Sequence, residues 1–334
     1  MLRTLPNPAV LLAPMTVNEA VLSSRIEGTQ ATLEEVLEQD AGIPTTDAGR
    51  AADIQEIANY RYVLRMAEQE TQHRPLSLSF VKQAHQILMQ GVRGHGKAPG
   101  AFRTDQNWIG RPNTPIEQAR FVPPDPVVLI QALEDWERYL NAGDEDPILQ
   151  VAVAHAQFEI LHPFKDGNGR MGRLLIPLLL FQRGILSRPM FYLSEGLERR
   201  REEYYDRLKA ITDAGDWQGW VGFFADAIVE QAGGNLEKAR KMLELYARLK
   251  EDFINVTRSQ YAVPVLDAFF VRLILNATDV QQDAGIANRI TANSLLRQLA
   301  DAGLVRRVRD AAGRRPAVYA LPNLINIVEG RDVV

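Results

Sequence analysis

The stretch His162-Pro163-Phe164-Lys165-Asp166-Gly167-Asn168-Gly169-Arg170-Met171-Gly172-Arg173 sets an imidazole four residues before a carboxylate, then a Gly-Asn-Gly turn, then two arginines three apart. Each part answers a need of phosphoryl chemistry. Gly167 and Gly169 reach backbone angles closed to other residues, and Asn168 tolerates them better than most. Successive N–H groups can therefore curl inward as an anion-binding nest. The apolar run Leu174 to Phe181 reads as a helix ending near Gly184, so the nest opens a helix N-terminus with its free N–H groups and partial positive charge. Arg170 and Arg173 share one helix face and can fork onto phosphate oxygens. Asp166 is a hard oxygen ligand suited to one Mg²⁺ that also needs nucleotide phosphates. His162, with an ordinary pKa of about 6.5, suits a general base near neutral pH. Taken singly, a Gly-Asn-Gly is a turn and a histidine after an apolar helix is a core or capping residue. Their union in one short window points to catalysis.

This window resembles the Fic family motif, H-x-F-x-[DE]-G-N-G-R-x-x-R, with every specified position filled. The resemblance implies a protein adenylyltransferase, which moves AMP from ATP onto a Tyr, Ser or Thr hydroxyl of a target protein or of itself. His162 would be catalytic and Asp166 would hold Mg²⁺. Gly167, Asn168, Gly169, Arg170, Met171, Gly172 and Arg173 would bind ATP. Doc-type relatives that act as kinases carry a departed loop, so the intact Gly167-Asn168-Gly169 favours nucleotidyl transfer over phosphorylation.

Three further stretches extend the resemblance. Ser23-Ser24-Arg25-Ile26-Glu27-Gly28 resembles the inhibitory-helix motif [ST]-x-x-x-E-[GN], with Ser23 and Glu27 one helical turn apart. It implies that Glu27 pairs with Arg173 and occupies the place of the γ-phosphate. In a hydrolytic variant of the reaction, which removes AMP from a modified protein, Glu27 would position water. Gly100-Ala101-Phe102-Arg103 resembles the G-x-[FY]-R element that precedes a flap, here Asn107 to Val122. Ile109, Phe121 and Val122 would bind the target there by strand addition; the other reading is an ordinary surface hairpin. Tyr204-Tyr205 resembles a pair that helps hold the nucleotide base or ribose, and core packing of a helix explains it equally well.

The elements that must position these residues are mostly helical. Thr16 with Glu19 and Thr32 with Glu35 form capping boxes, the first opening a helix through Ile26 that stops at Gly28. Asp125-Pro126 and Asp146-Pro147 each place an N-cap before a proline at the first helical position, and the second of these helices delivers His162 to its loop. Pro177 removes an N–H from the helix after the motif. Gly233-Gly234 is the clearest break in composition, followed by a charged amphipathic connector. The fold class expected is mainly α: a Fic-type helical core with a small β-hairpin flap, plus a C-terminal winged helix-turn-helix. The division expected is an N-terminal helical region with the inhibitory helix (1–75), the catalytic core (76–233), a connector helix (234–260) and the winged helix-turn-helix (261–334).

In that last segment, Val265 to Asn276, Val280 to Ala284 and Ile290 to Asp301 read as helices, with Leu295, Leu296 and Leu299 facing inward. Leu304 to Arg306 and Ala317 to Tyr319 read as strands around a basic wing containing Arg306, Arg307, Arg309, Arg314 and Arg315. Such a module binds DNA through a recognition helix and a wing on phosphates, or docks proteins and forms a homodimer. A rival function follows: a nucleotide-sensing, DNA-binding transcriptional regulator. His162 and Asp166 argue against it, because sensing needs neither a base nor a metal carboxylate. The net charge of −4 argues against a chain built mainly to coat nucleic acid and leaves room for a local basic patch. The lack of cysteine excludes disulfides, thiolate nucleophiles and Cys-based zinc sites. No apolar run is long enough to span a bilayer, so the expected partners include no membrane and the expected location is the cytoplasm.

Overall fold

The computed structural model describes residues 8–92, 96–110, 115–143, 146–313 and 315–332. It is mainly helical, with one small three-stranded antiparallel sheet. The chain forms two compact units: one gathers the stretches 1–21, 31–54 and 233–334, the other 22–30 and 55–232. Among the described residues no helix is long and apolar enough to cross a membrane.

The second unit is built around two antiparallel neighbours, α6 (Pro147–Leu161) and α7 (Asn168–Gln182). Both are buried nearly all round, as a run of apolar residues without a polar face requires. Ala152, Ala154 and Ala156 keep α6 thin, so neighbours approach its backbone closely. Trp136 of α5 (Pro126–Asn141) donates its indole N–H to the Ala154 carbonyl at 2.9 Å, and Trp220 of α10 (Trp217–Thr257) donates to Ala152 at 2.8 Å. Trp220 is fully buried and forms an aromatic cluster with His155, Tyr204, Phe223 and Phe224. That cluster fixes α9 (Arg201–Ala214) against α6. Asp125 and Asp146 cap α5 and α6 ahead of their prolines, as the sequence implies.

In the other unit, α11 (Ala262–Arg272), β1 (Ile274–Asn276), α12 (Ala277–Asp283), α13 (Arg289–Asp301), β2 (Arg306–Arg309) and β3 (Val318–Ala320) follow in order, closed by α14 (Pro322–Glu329). The sheet order is β1-β3-β2, with Leu275 opposite Tyr319 and Arg307 opposite the same tyrosine on its other edge. Leu295, Leu296 and Leu299 face the core. The expected helix from Val265 to Asn276 ends early, because Leu273 turns to positive φ and Ile274-Leu275 pair with β3. A short buried strand and a buried helix share the same apolar signature, so periodicity alone could not separate them.

Three local expectations shift. α1 (Pro8–Ile26) has begun well before the Thr16–Glu19 pair, with a proline preset for the first helical position. Thr32 does cap α2 (Leu33–Asp40) through a complete capping box. Gly233-Gly234 does not interrupt α10. A Cβ at either position would meet open space, and about 1 kcal/mol per glycine is outweighed by strong helix formers on both sides.

Replacing Trp220 with alanine removes the centre of the cluster behind α6 and α9. The expected loss is roughly 3–5 kcal/mol of unfolding free energy, measured as a lower urea midpoint, with Trp220→Phe retaining most of the stability.

Candidate active site

The site begins where α6 stops. His162 is the C-cap, in the left-handed region at φ 46°, with its N–H bonded to the Phe158 carbonyl. A non-glycine residue there is strained, and Arg103 holds the turn in place. Its buried guanidinium donates to the carbonyls of Leu161 and His162 at 3.3 and 3.0 Å, and to those of Pro124 and Asp105 at 2.5 and 3.4 Å. Its own N–H donates to Pro163 at 2.8 Å. Phe164 is then driven inward and stacks on His85 of α4 (Leu78–Leu88) at 3.6 Å, nearly parallel. His85 accepts the Gly100 N–H on Nδ1, which leaves Nε2–H to donate to the Asp166 carbonyl at 2.9 Å. Burial pushes the His85 pKa down to about 4, so the ring bridges these groups in its neutral form.

Asn168 closes the loop. Its side chain accepts the Phe164 N–H and donates to the Phe164 carbonyl, both at 2.8 Å, so its amide is spent on backbone rather than turned toward the cleft. Gly167 is the N-cap of α7 at φ 76°, where a Cβ would also strike the Met89 sulfur at 2.8 Å. No side chain caps this helix, so its first N–H groups remain available to an anion. Asp166 accepts the Gly167 N–H on Oδ1 at 2.7 Å and pairs with Lys97 through Oδ2 at 3.0 Å.

Arg173 projects from the second turn of α7 and is buried. Its Nε donates to Ser23 Oγ at 3.0 Å, and its Nη2 donates to the Ser23 carbonyl at 2.8 Å and to Glu27 Oε1 at 2.7 Å. A Cβ on Gly169 would lie 2.1 Å from that same Oε1. The carboxylate therefore rests directly over the open end of α7. Burial pushes the Glu27 pKa up, but Arg173, with help from Arg170 and His162, outweighs it and holds it below the usual carboxylate range. Burial likewise pushes Arg173 down, and Glu27 more than restores it, so its pKa is raised. Burial is also the main force on His162, lowering it to about 4 against the pull of Glu27.

A cleft of about 990 Å³ joins these groups. Glu27, Ile109, Phe121, His162, Asp166, Gly167, Asn168, Gly169, Arg173 and Tyr205 line it. The flap is a single bridge between Ile109 and Phe121, with N–H···O bonds in both directions; the turn residues 111–114 lie outside the described residues. Val122 is exposed beyond that bridge. Other expected residues sit behind the wall. Arg170 forms a buried ion pair with Glu56 at 2.9 Å and lies 3.9 Å from Asp166, so the charge that was to fork onto phosphate is held by a carboxylate from α3 (Ala48–Thr71). Met171 is buried, Gly172 packs against Glu159, and Tyr204 bonds His155 inside the aromatic cluster. Tyr205 alone of the pair reaches the cleft, flanked by Arg120 and Arg201.

Glu159 and Lys97 also line this cleft, and neither belongs to a sequence motif. Glu159 lies in the last turn of α6, and no motif marks it, because His162 leaves the helix at a left-handed cap. Lys97 and Glu56 reach the site only through tertiary structure.

The description "Fic/DOC family" matches residues 75–180, and "Fic/DOC family N-terminal" matches residues 1–69. A probable protein adenylyltransferase of Aquifex aeolicus is 23% identical over 287 residues, covering 78% of this chain and 80% of its own. The protein adenylyltransferase Fic of Drosophila willistoni is 35% identical over 130 residues, covering 38% of this chain; the match spans only 23% of that longer protein. Among solved structures, a Fic family protein from Desulfovibrio desulfuricans G20 shares the fold over 96% of this chain and 89% of its own, with a TM-score of 0.59 at 21% identity. With His162, Asp166, Gly167, Asn168, Gly169 and Arg173 of the motif lining one cleft and the two family models together spanning over half of its length, this chain belongs to the Fic/DOC family.

Proposed function

We propose that this chain is a protein adenylyltransferase held in check by Glu27. The observation that carries the reading is the Glu27 carboxylate seated on Arg173 over Gly169: a protein anion occupies the place that an open helix end and a buried guanidinium prepare for phosphate. The relatives, a probable protein adenylyltransferase and a protein adenylyltransferase Fic, support the reaction class.

In the reaction, a Tyr, Ser or Thr hydroxyl oxygen of the target attacks the α-phosphorus of ATP. The bond to the bridging oxygen breaks, pyrophosphate leaves, and the hydroxyl proton passes to the His162 imidazole. His162 is neutral at physiological pH and so able to accept it. Nearby phosphates would raise its pKa toward the working range. Arg173 and the free N–H groups of α7 would offset charge on the departing pyrophosphate. Asp166 fits Mg²⁺, since its carboxylate already holds an ammonium group, that of Lys97. Among the described residues no cluster of three metal-ligating side chains exists, so the ion would complete its shell with nucleotide phosphates and water. Bound there, it would neutralise phosphate charge. The bridge between Ile109 and Phe121, with Val122 exposed beside it, offers backbone to an extended target segment, and the ring of Tyr205 offers a face to the base. With its lowered pKa, Glu27 is ionised, which supports a role for it in orienting a water for removal of AMP from a modified protein.

For residues 261–334 we infer a winged helix-turn-helix, supported by the order of α11 to β3 and the sheet β1-β3-β2. α13 exposes Ser294, Arg297 and Gln298 in the position of a recognition helix. Two wing arginines are engaged internally: Arg309 donates to the carbonyls of Gly42 and Pro316, and Arg307 pairs with Asp310. Among the described wing residues, phosphate contacts then rest mainly on exposed Arg306 and Arg315; Arg314 lies outside the described residues.

Three outcomes follow. His162→Ala should lower AMP transfer by roughly 10²–10⁴-fold while leaving ATP binding intact, and in the parent enzyme the acid limb of kcat/KM should lie near pH 4 rather than 6.5 because protonation removes the base. Transfer at the parent rate would overturn the mechanism. Glu27→Gly should raise autoadenylylation by about 10–1,000-fold, the difference between freeing Arg173 and leaving it unpaired before ATP arrives; Arg173→Ala should give no such gain, and equal rates for parent and Glu27→Gly would sink the inhibitory reading. Duplex DNA retention should weaken with salt at a log–log slope of roughly −2, the value for two phosphates neutralised; retention insensitive to salt would exclude Arg306 and Arg315 as phosphate contacts.

A further inference from the structure

Arg173 has a second carboxyl in its surroundings. Glu159 lies on α6, one turn before His162, with Oε1 buried and without a hydrogen-bond partner. A Cβ on Gly172 would stand 2.3 Å from that oxygen, so the carboxyl rests against the backbone of α7 one residue before Arg173, and only glycine at 172 admits it there. On its other side it bonds the Tyr204 hydroxyl, which in turn meets His155 Nε2 at 2.9 Å. The groups facing Glu159 are Arg173 from α7, Glu27 beyond α1 and Tyr204 from α9, with His155 and His162 on its own helix.

We propose that Glu159 is a positioning residue for Arg173: ionised, it holds the guanidinium when Glu27 withdraws, and it must become neutral for a nucleotide phosphate to take the guanidinium over. This rests on the reading of the cleft as a nucleotide site.

The charges require such an exchange. Glu27 and Glu159 both act on one buried cation. With Glu27 in place, burial pushes Glu159 up to about 7, Glu27 adding to the rise and Arg173 opposing it. Withdrawing Glu27 removes a negative neighbour, so Glu159 gives up its proton more readily, and Arg173 is spared standing as an uncompensated buried charge. An arriving phosphate restores negative charge beside Arg173, and two anions on one guanidinium in a partly dry site repel. Glu159 then takes its proton back. Tyr204, raised well above 10, and His155, lowered to about 3, stay neutral throughout, so the charge change falls on Glu159. The sign follows: nucleotide binding takes up a proton, and affinity falls as pH rises through neutrality.

The test is calorimetric binding of a non-hydrolysable ATP analogue with Mg²⁺ to the full chain carrying Glu27→Gly, alone and with Glu159→Gln, at about pH 6 and about pH 8.5. Coupling to one proton allows up to about tenfold per pH unit. Affinity of the single variant should therefore fall about tenfold more across this range than that of the double variant, and the difference between them cancels the nucleotide's own titration. Parallel pH profiles would overturn the role of Glu159 while leaving the nucleotide reading in place. Absence of binding to either variant would overturn both. Should Glu159→Gln fail to fold, the Glu27→Gly profile is set against the nucleotide's own titration measured in the same buffers, and a profile that this titration alone accounts for contradicts the proposal.

Discussion

A guanidinium buried near the first turn of a helix needs an anion beside it. Arg173 is such a group, and the site is organised around that need. The N-terminus of α7 adds its own partial positive charge, so the demand is doubled at one point in space. Ser23 meets part of it with a hydroxyl and a carbonyl, and Glu27 meets the rest with a carboxylate. These two residues fall one turn apart at the end of α1, where a hydroxyl and a carboxylate can address one guanidinium together. Gly169 must lack a side chain for the carboxylate to settle, which explains a glycine inside the first turn of a helix whose angles do not require one.

Three histidines show how environment divides one chemistry into separate tasks. His85 is neutral because it is buried, and it works as a bridge between two backbone groups. His155 is neutral for the same reason and anchors Tyr204 within the aromatic cluster. His162 shares their depressed pKa, yet it lines the cleft, which makes it the one of the three that fits the proposed exchange of a proton with a substrate. Access rather than acidity separates the proposed base from the struts.

What the sequence disclosed was mostly local. The motif from His162 to Arg173, the caps at Asp125 and Asp146, and the box at Thr32 are short-range devices whose partners lie within a few residues. The Glu27–Arg173 pair was legible despite its separation because each end sits in a motif of its own. Arg170 was not, since its partner Glu56 lies 114 residues away in a stretch that carries only helical periodicity. β1 was hidden by the shared signature of buried strands and buried helices, and the continuity of α10 by the weight given to two glycines. These misses concern residues whose roles depend on what the folded chain brings near them.

Arg103 carries a consequence for how such a protein changes over generations. Its four side-chain acceptors are all main-chain oxygens, on both the turn that sets His162 and the segment that carries the flap. A clasp made to carbonyls does not depend on which side chains those residues bear. If the flap is the target-binding surface proposed above, its sequence can drift toward new targets without a matching change beside His162, and one arginine preserves that turn while the surface next to it is free to be rewritten.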